Sequence, residues 1–102
     1  MKNVIAERNL LYSLKGCSTR RRFVIKVNMP YHVDESMDDF IYNLELYACT
    51  IEFNGLPETF TRKVFGADSV QVLQLATDID GYVKGLEKIY DIFWPTGEPY
   101  FE

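Results

Sequence analysis

The chain holds one histidine, His32, and two cysteines, Cys17 and Cys49. These are the residue types that most often move protons, attack electrophiles or hold metals near neutral pH. Nucleophilic catalysis needs a nucleophile, a base and a group that orients the base. His32 sits in a polar stretch just after Pro30-Tyr31. Ser36 is too close along the same extended segment to pair with it, and no spacing links His32 to either thiol. A structural zinc site takes four ligands, usually Cys or His. This sequence offers at most three, far apart, with no CxxC pair. Asp34, Glu35, Asp38 and Asp39 form an acidic run, but without the full spacing or the glycine of a calcium loop. The six glycines are scattered and build neither G-x-G-x-x-G nor G-x-x-x-x-G-K, so no phosphate cradle is expected. The residue types therefore predict a protein that is not an enzyme and needs no metal or cofactor.

Charge gives a second line of reading. The net charge is −4. Residues 1–33 sum to +6, with Glu7 their only acid, whereas residues 34–102 sum to −10. Such asymmetry marks either a binding surface or two halves that neutralise each other within one sheet. Arg20-Arg21-Arg22 is the best sign of phosphate contact, and strand parity points Arg20, Arg22 and Lys26 to one side. Three cations are a small footprint in an acidic chain, which argues against a nucleic-acid partner. Toward the C-terminus acids and aromatics interleave: Asp91, Trp94, Glu98, Tyr100, Phe101. Trp and Tyr are favoured interface anchors, and acids steer a basic partner.

The elements that must position these residues follow from pattern. With 102 residues, 47% of them apolar, the chain suits a single domain spanning 1–102. No apolar run is long enough to cross a membrane, and no secretory leader is expected. A cytoplasmic location with both thiols reduced is the expectation.

Asn3 to Leu14 reads as a strand, because Val4, Ala6, Leu10, Tyr12 and Leu14 share a parity that only Arg8 interrupts. Lys15-Gly16-Cys17-Ser18 turns the chain into Arg21–Met29, where Phe23, Ile25, Val27 and Met29 alternate with Val24, Lys26 and Asn28. Pro30 ends that strand, and 30–39 reads as an exposed loop. Alternation resumes at Phe40 and changes parity near Leu46-Tyr47, which predicts a bulge or break. Asn54-Gly55 turns into a fourth strand over Thr59–Phe65. Asp68 with Gln71 three residues on predicts a capped helix over about 68–87. Its apolar arc holds Val72, Leu75, Ala76, Ile79, Val83 and Leu86. Ile89–Trp94 reads as a central, two-sided strand, with a short pairing at Tyr100-Phe101 beyond a turn. The order β-β-β-β-α-β, with a short last strand, predicts an α+β fold: a mostly antiparallel sheet with one amphipathic helix on one face.

Phe65-Gly66-Ala67-Asp68-Ser69-Val70-Gln71-Val72-Leu73-Gln74-Leu75-Ala76 resembles the Gly-x-Asp-Ser-x-Gln-x-Leu-Gln-Leu-Ala helix motif of a family of small bacterial proteins of unknown function. Ile5-Ala6-Glu7-Arg8, Cys49-Thr50-Ile51-Glu52-Phe53, and the ending Trp94, Gly97, Phe101 are also similar. Val72 stands where alanine is common in that family, and the stretch from Tyr31 to Leu46 is longer than usual. The resemblance implies one compact bacterial domain and no activity.

Together these readings predict a non-catalytic small bacterial binding protein. Its sharpest form is an immunity protein that neutralises a basic, nuclease-like toxin by acidic occlusion. The expected partner-binding residues are Asp34, Glu35, Asp38, Asp39, Asp91, Trp94, Glu98 and Tyr100. The alternative is a structural or regulatory subunit that acts as a homodimer.

Overall fold

The computed structural model describes residues 3–33 and 46–101. Strands β1 (Val4–Leu14) and β2 (Arg21–Asn28) form the expected hairpin. Gly16 turns it at a φ of +84°, a left-handed angle that glycine adopts without strain. Strand β4 (Tyr47–Asn54) runs antiparallel to β2 on one side and to β5 (Phe60–Gly66) on the other. The two-residue β3 (Tyr31–His32) follows Pro30 and pairs with the start of β4, so His32 lies in a short strand rather than in a loop. Residues 34–45, including the segment read as a strand from Phe40, lie outside the described residues. The strand on the N-terminal side of the break expected near Leu46-Tyr47 lies outside the described residues; among the described residues a register shift occurs between Val4 and Ala6 in β1.

The final strand differs from expectation in its place. β6 (Tyr90–Phe93) pairs with β1 over Leu11–Leu14, and among the described residues its outer side meets a single bridge, from Phe93 to Pro99. Among the described strands it is an edge strand, not a central one. Its apolar look arises because the returning chain shields its outer side: the Tyr100 amide donates to the Ile92 carbonyl at 3.0 Å. The described strands therefore run β5-β4-β2-β1-β6, all antiparallel, with β3 in line with β2 against β4.

The helical region bends once. Asp68 caps α1 (Ser69–Ala76): its Oδ1 accepts from the Gln71 amide at 2.8 Å, and Gln71 Oε1 accepts from the Ala67 amide at 2.6 Å. This is the predicted reciprocal cap, with the return bond one residue before the cap. The helix stops at Thr77, whose hydroxyl donates to the Leu73 carbonyl at 2.6 Å. Asp78 leaves helical geometry and caps α2 (Ile79–Leu86) by accepting from the Gly81 amide at 3.2 Å. Side chains that hydrogen-bond their own backbone compete with helix continuation, and Thr77-Asp78 does so twice.

Val72, Ala76, Ile79 and Val83 are buried against Leu10, Phe23, Ile25, Val27, Ile51 and Phe53 of the sheet. Each fully buried aliphatic or aromatic side chain contributes about 1.5–3 kcal/mol. Leu75, from the expected arc, is exposed because the bend rotates the two helical segments apart. On the opposite sheet face Asn28, Ala48 and Glu52 are buried, whereas Leu11, Val24 and Phe93 are half-buried and Arg22 is exposed.

Candidate functional site

Two neighbouring features gather chemistry-bearing side chains, one on each face of the sheet near β1 and β6. The first is built where the chain turns back after β6. Gly97, at a φ of +96°, closes the turn, and the Trp94 amide donates to the Glu98 carbonyl at 2.8 Å. The Trp94 and Tyr100 rings therefore stack, with centroids 4.6 Å apart, and Phe101 meets Tyr100 edge-on. Arg8 explains its own break in the β1 alternation: it points to the helix side, with its guanidinium 5.2 Å from the centre of the Trp94 ring. It donates to the Tyr100 hydroxyl at 2.6 Å, and that hydroxyl donates to Asp80 Oδ1 at 2.5 Å. Burial pushes the Tyr100 hydroxyl above its ordinary tyrosine value, its bond to Asp80 raises it further, and Arg8 opposes both.

The expected partner-binding residues are thus dispersed. Trp94 and Tyr100 do meet, but the Tyr100 ring is buried and its hydroxyl is engaged. Glu98 is exposed in the turn. Asp91 points to the other face and is ion-paired with Lys15 at 3.2 Å. Asp34, Glu35, Asp38 and Asp39 lie outside the described residues. Arg8 and Asp80, absent from the expected set, complete the cluster. The signal for Arg8 was a charge at a core parity position; Asp80 had none, because its placement depends on the helix bend.

The second feature lies on the sheet face away from α1 and α2. Cross-strand register sets Arg22, Leu11 and Phe93 in one row over β2, β1 and β6. A cavity of about 340 Å³ lies there, lined by Asn9, Leu11, Arg22 and Pro95 among others. The Arg20 guanidinium lies 3.8 Å from the centre of the Phe93 ring and donates to the Gly97 carbonyl at 3.0 Å. Lys26 shares the face, as parity predicts, but sits in register between Glu7 and Glu52. With Lys15–Asp91 and Arg8–Asp80, these registers bring the basic first third of the chain against its acidic remainder.

The reactive residue types do not assemble. Cys17 is exposed beyond the β1–β2 turn, whereas His32 lies past the opposite end of β2, edge-on to Tyr47. Cys49 is buried, and its thiol donates to the Asn28 carbonyl at 3.0 Å. Burial raises that thiol above its usual value, which leaves it a poor nucleophile. Asn28 also donates to Glu52 Oε2 at 2.9 Å and to the Thr50 carbonyl at 3.1 Å, clamping β2 to β4. Among the described residues no three His, Cys, Asp or Glu side chains converge as metal ligands, and no helix is long and apolar enough to cross a membrane. Comparison with family profiles, curated proteins and solved structures returned no match.

Proposed function

We propose that the chain is a non-catalytic binding protein that takes a basic protein partner, as an immunity protein takes a nuclease-like toxin. The observation that supports this reading is the half-buried Trp94 ring, backed by its stack on buried Tyr100, in a cluster that also holds the largely exposed Asp80 carboxylate, with Glu98 exposed in the adjoining turn. An aromatic body already packed on a second ring loses little side-chain entropy on docking, and nearby acids steer a cationic surface toward it. The acidic run Asp34, Glu35, Asp38, Asp39 adds four charges of the same sign in the chain. Tight neutralisation requires a dissociation constant of about 1 nM or below, near −12 kcal/mol.

The test is a pull-down from host lysate at low and high salt, then association kinetics with the purified partner. Glu98→Lys combined with Asp34→Lys and Glu35→Lys should slow association about tenfold or more at low salt, with the gap closing at high salt. Recovery of no basic partner, or unchanged association after the reversals, removes the proposal. A second reading, a homodimeric structural subunit, draws on the outer edge of β5, which has no strand partner among the described residues. Arg62 and Lys63 on that edge oppose self-pairing, since like charges facing each other across strands repel. A monomer by analytical ultracentrifugation at micromolar concentration ends this second reading.

A further inference from the structure

We propose that the groove on the sheet face away from α1 and α2, floored by Leu11 between Arg22 and the Arg20–Phe93 pair, docks an extended acidic peptide segment of a partner protein. It is a surface of opposite sign to the acidic one above and does not rest on that reading.

The geometry starts from register. Arg22 on β2 and Phe93 on β6 flank Leu11 of β1 directly. Adjacent strands lie about 4.8 Å apart, so the two flanking positions are about 10 Å apart across the sheet. The Arg20 guanidinium sits over the Phe93 ring, which places a second cation on the far side of Leu11 from Arg22. Among the described residues neither guanidinium is ion-paired with a carboxylate. Pro95 and Asn9 help line the cavity of about 340 Å³ beside them. The surface thus has an apolar floor, an unpaired cation on each side, and one amide side chain.

Charge complementarity selects the occupant. An extended segment repeats on one face every second residue, about 6.8 Å. An apolar residue seated on Leu11 would therefore carry acids two positions before and two positions after it on the same face. Those acids lie about 14 Å apart, within reach of the Arg22 side chain and of the Arg20 guanidinium held over Phe93 on the far side of Leu11. The planar guanidinium matches a carboxylate in a two-bond fork. A nucleic acid is less well served. Lys26 lies in register between Glu7 and Glu52, whose charges offset its own, so the groove itself offers two cations. Two phosphate contacts give a salt slope of only about −1.8, roughly a twelvefold loss from 50 to 200 mM salt, far below that of dedicated nucleic-acid binders.

The probe is a dye-labelled peptide, Gly-Glu-Ser-Leu-Ser-Glu-Gly, titrated into the full chain with two-dimensional amide NMR and fluorescence anisotropy. The expected result is saturable shifts centred on Asn9, Leu11, Arg22 and Phe93. Binding should weaken about tenfold or more with both glutamates changed to glutamine, and likewise in the Arg20→Gln, Arg22→Gln protein. Both arginines are exposed, and an unchanged thermal melt of the double variant confirms that the loss is local. The glutamine peptide reads the same charge dependence on the unaltered protein. The proposal is overturned by no localised shift at millimolar peptide, by equal binding of the glutamine peptide, or by a ten-nucleotide oligothymidine that moves the same resonances at lower concentration.

Discussion

Replacing Tyr100 by phenylalanine isolates one polar tie while keeping the ring stack. The hydroxyl donates to Asp80 and accepts from Arg8. Hydrogen bonds to charged groups contribute about 1.5–3 kcal/mol each when well shielded. Here the partner side chains are 39% exposed at Arg8 and 71% exposed at Asp80, so water takes over much of each bond on removal. Direct attraction between Arg8 and Asp80, already 3.8 Å apart, recovers a further part. The net loss is about 1–2 kcal/mol, a melting temperature lower by roughly 5–12 °C in a domain of this size. The sign of the pH dependence follows from the raised hydroxyl. In the unfolded chain it ionises near its ordinary value of 10.0, whereas the fold holds it protonated to higher pH. Above that value the folded state binds more protons than the unfolded one, and the stabilisation is lost as pH rises through the folded value. Tyr100→Phe lacks this group. The stability gap between the two proteins should therefore be full at about pH 8 and shrink above about pH 10. Cys49 and Tyr82, both also pushed up chiefly by burial, titrate in both proteins and cancel in the difference. Urea unfolding followed by fluorescence of Trp94, the single tryptophan, reads both quantities. No gap at about pH 8, or a gap that persists unchanged to about pH 11, refutes the argument.

The glycines of α2 should behave oppositely. A Cβ at Gly81 would collide with the Asp78 carboxylate that caps the helix, so Gly81→Ala should cost about 1–3 kcal/mol, whereas Gly85 faces open space and Gly85→Ala should stabilise by about 0.5–1 kcal/mol. Chemical denaturation of the two variants tests the pair, and equal effects of one sign would sink the reasoning. Thiol labelling of the native protein with a disulfide reagent should consume Cys17 quickly and Cys49 only after unfolding. Two equivalents reacting at one fast rate would show that the β2–β4 clamp does not exclude solvent.

Local chemistry was the most legible part of the sequence. The hairpin at Gly16, the turn at Gly55 and the Asp68–Gln71 cap each depend on residues within a few positions of one another, and each forms as read. Gly55 is held at a φ of +107°, and an added Cβ would lie 2.7 Å from the Arg22 carbonyl oxygen. The α+β class followed from the strand run and a single apolar arc. Long-range placement was less legible. The two-sided apolar look of Ile89–Trp94 suggested a central strand, but Pro99 and Tyr100 cover what another strand would have covered. The helix break was written in Thr77-Asp78 with Gly81 three residues on, a second cap signal masked by the continuing apolar period. For the candidate site, parity grouped Arg22 with Lys26, yet only pairing across three strands sets Arg22, Leu11 and Phe93 in a row. No local window contains that row.

The bond between Arg8 and Tyr100 spans 92 positions of sequence, and β1 takes β6 as its second neighbour. During synthesis the first hairpin can close early, but the β6 side of β1 stays open until Tyr90–Phe93 has left the ribosome. Loop-closure entropy must be met before these late contacts return any stability. Final locking of the domain therefore waits for β6 to emerge, and a nascent chain stalled before residue 90 exposes an unsatisfied strand edge to chaperones and to neighbouring nascent chains.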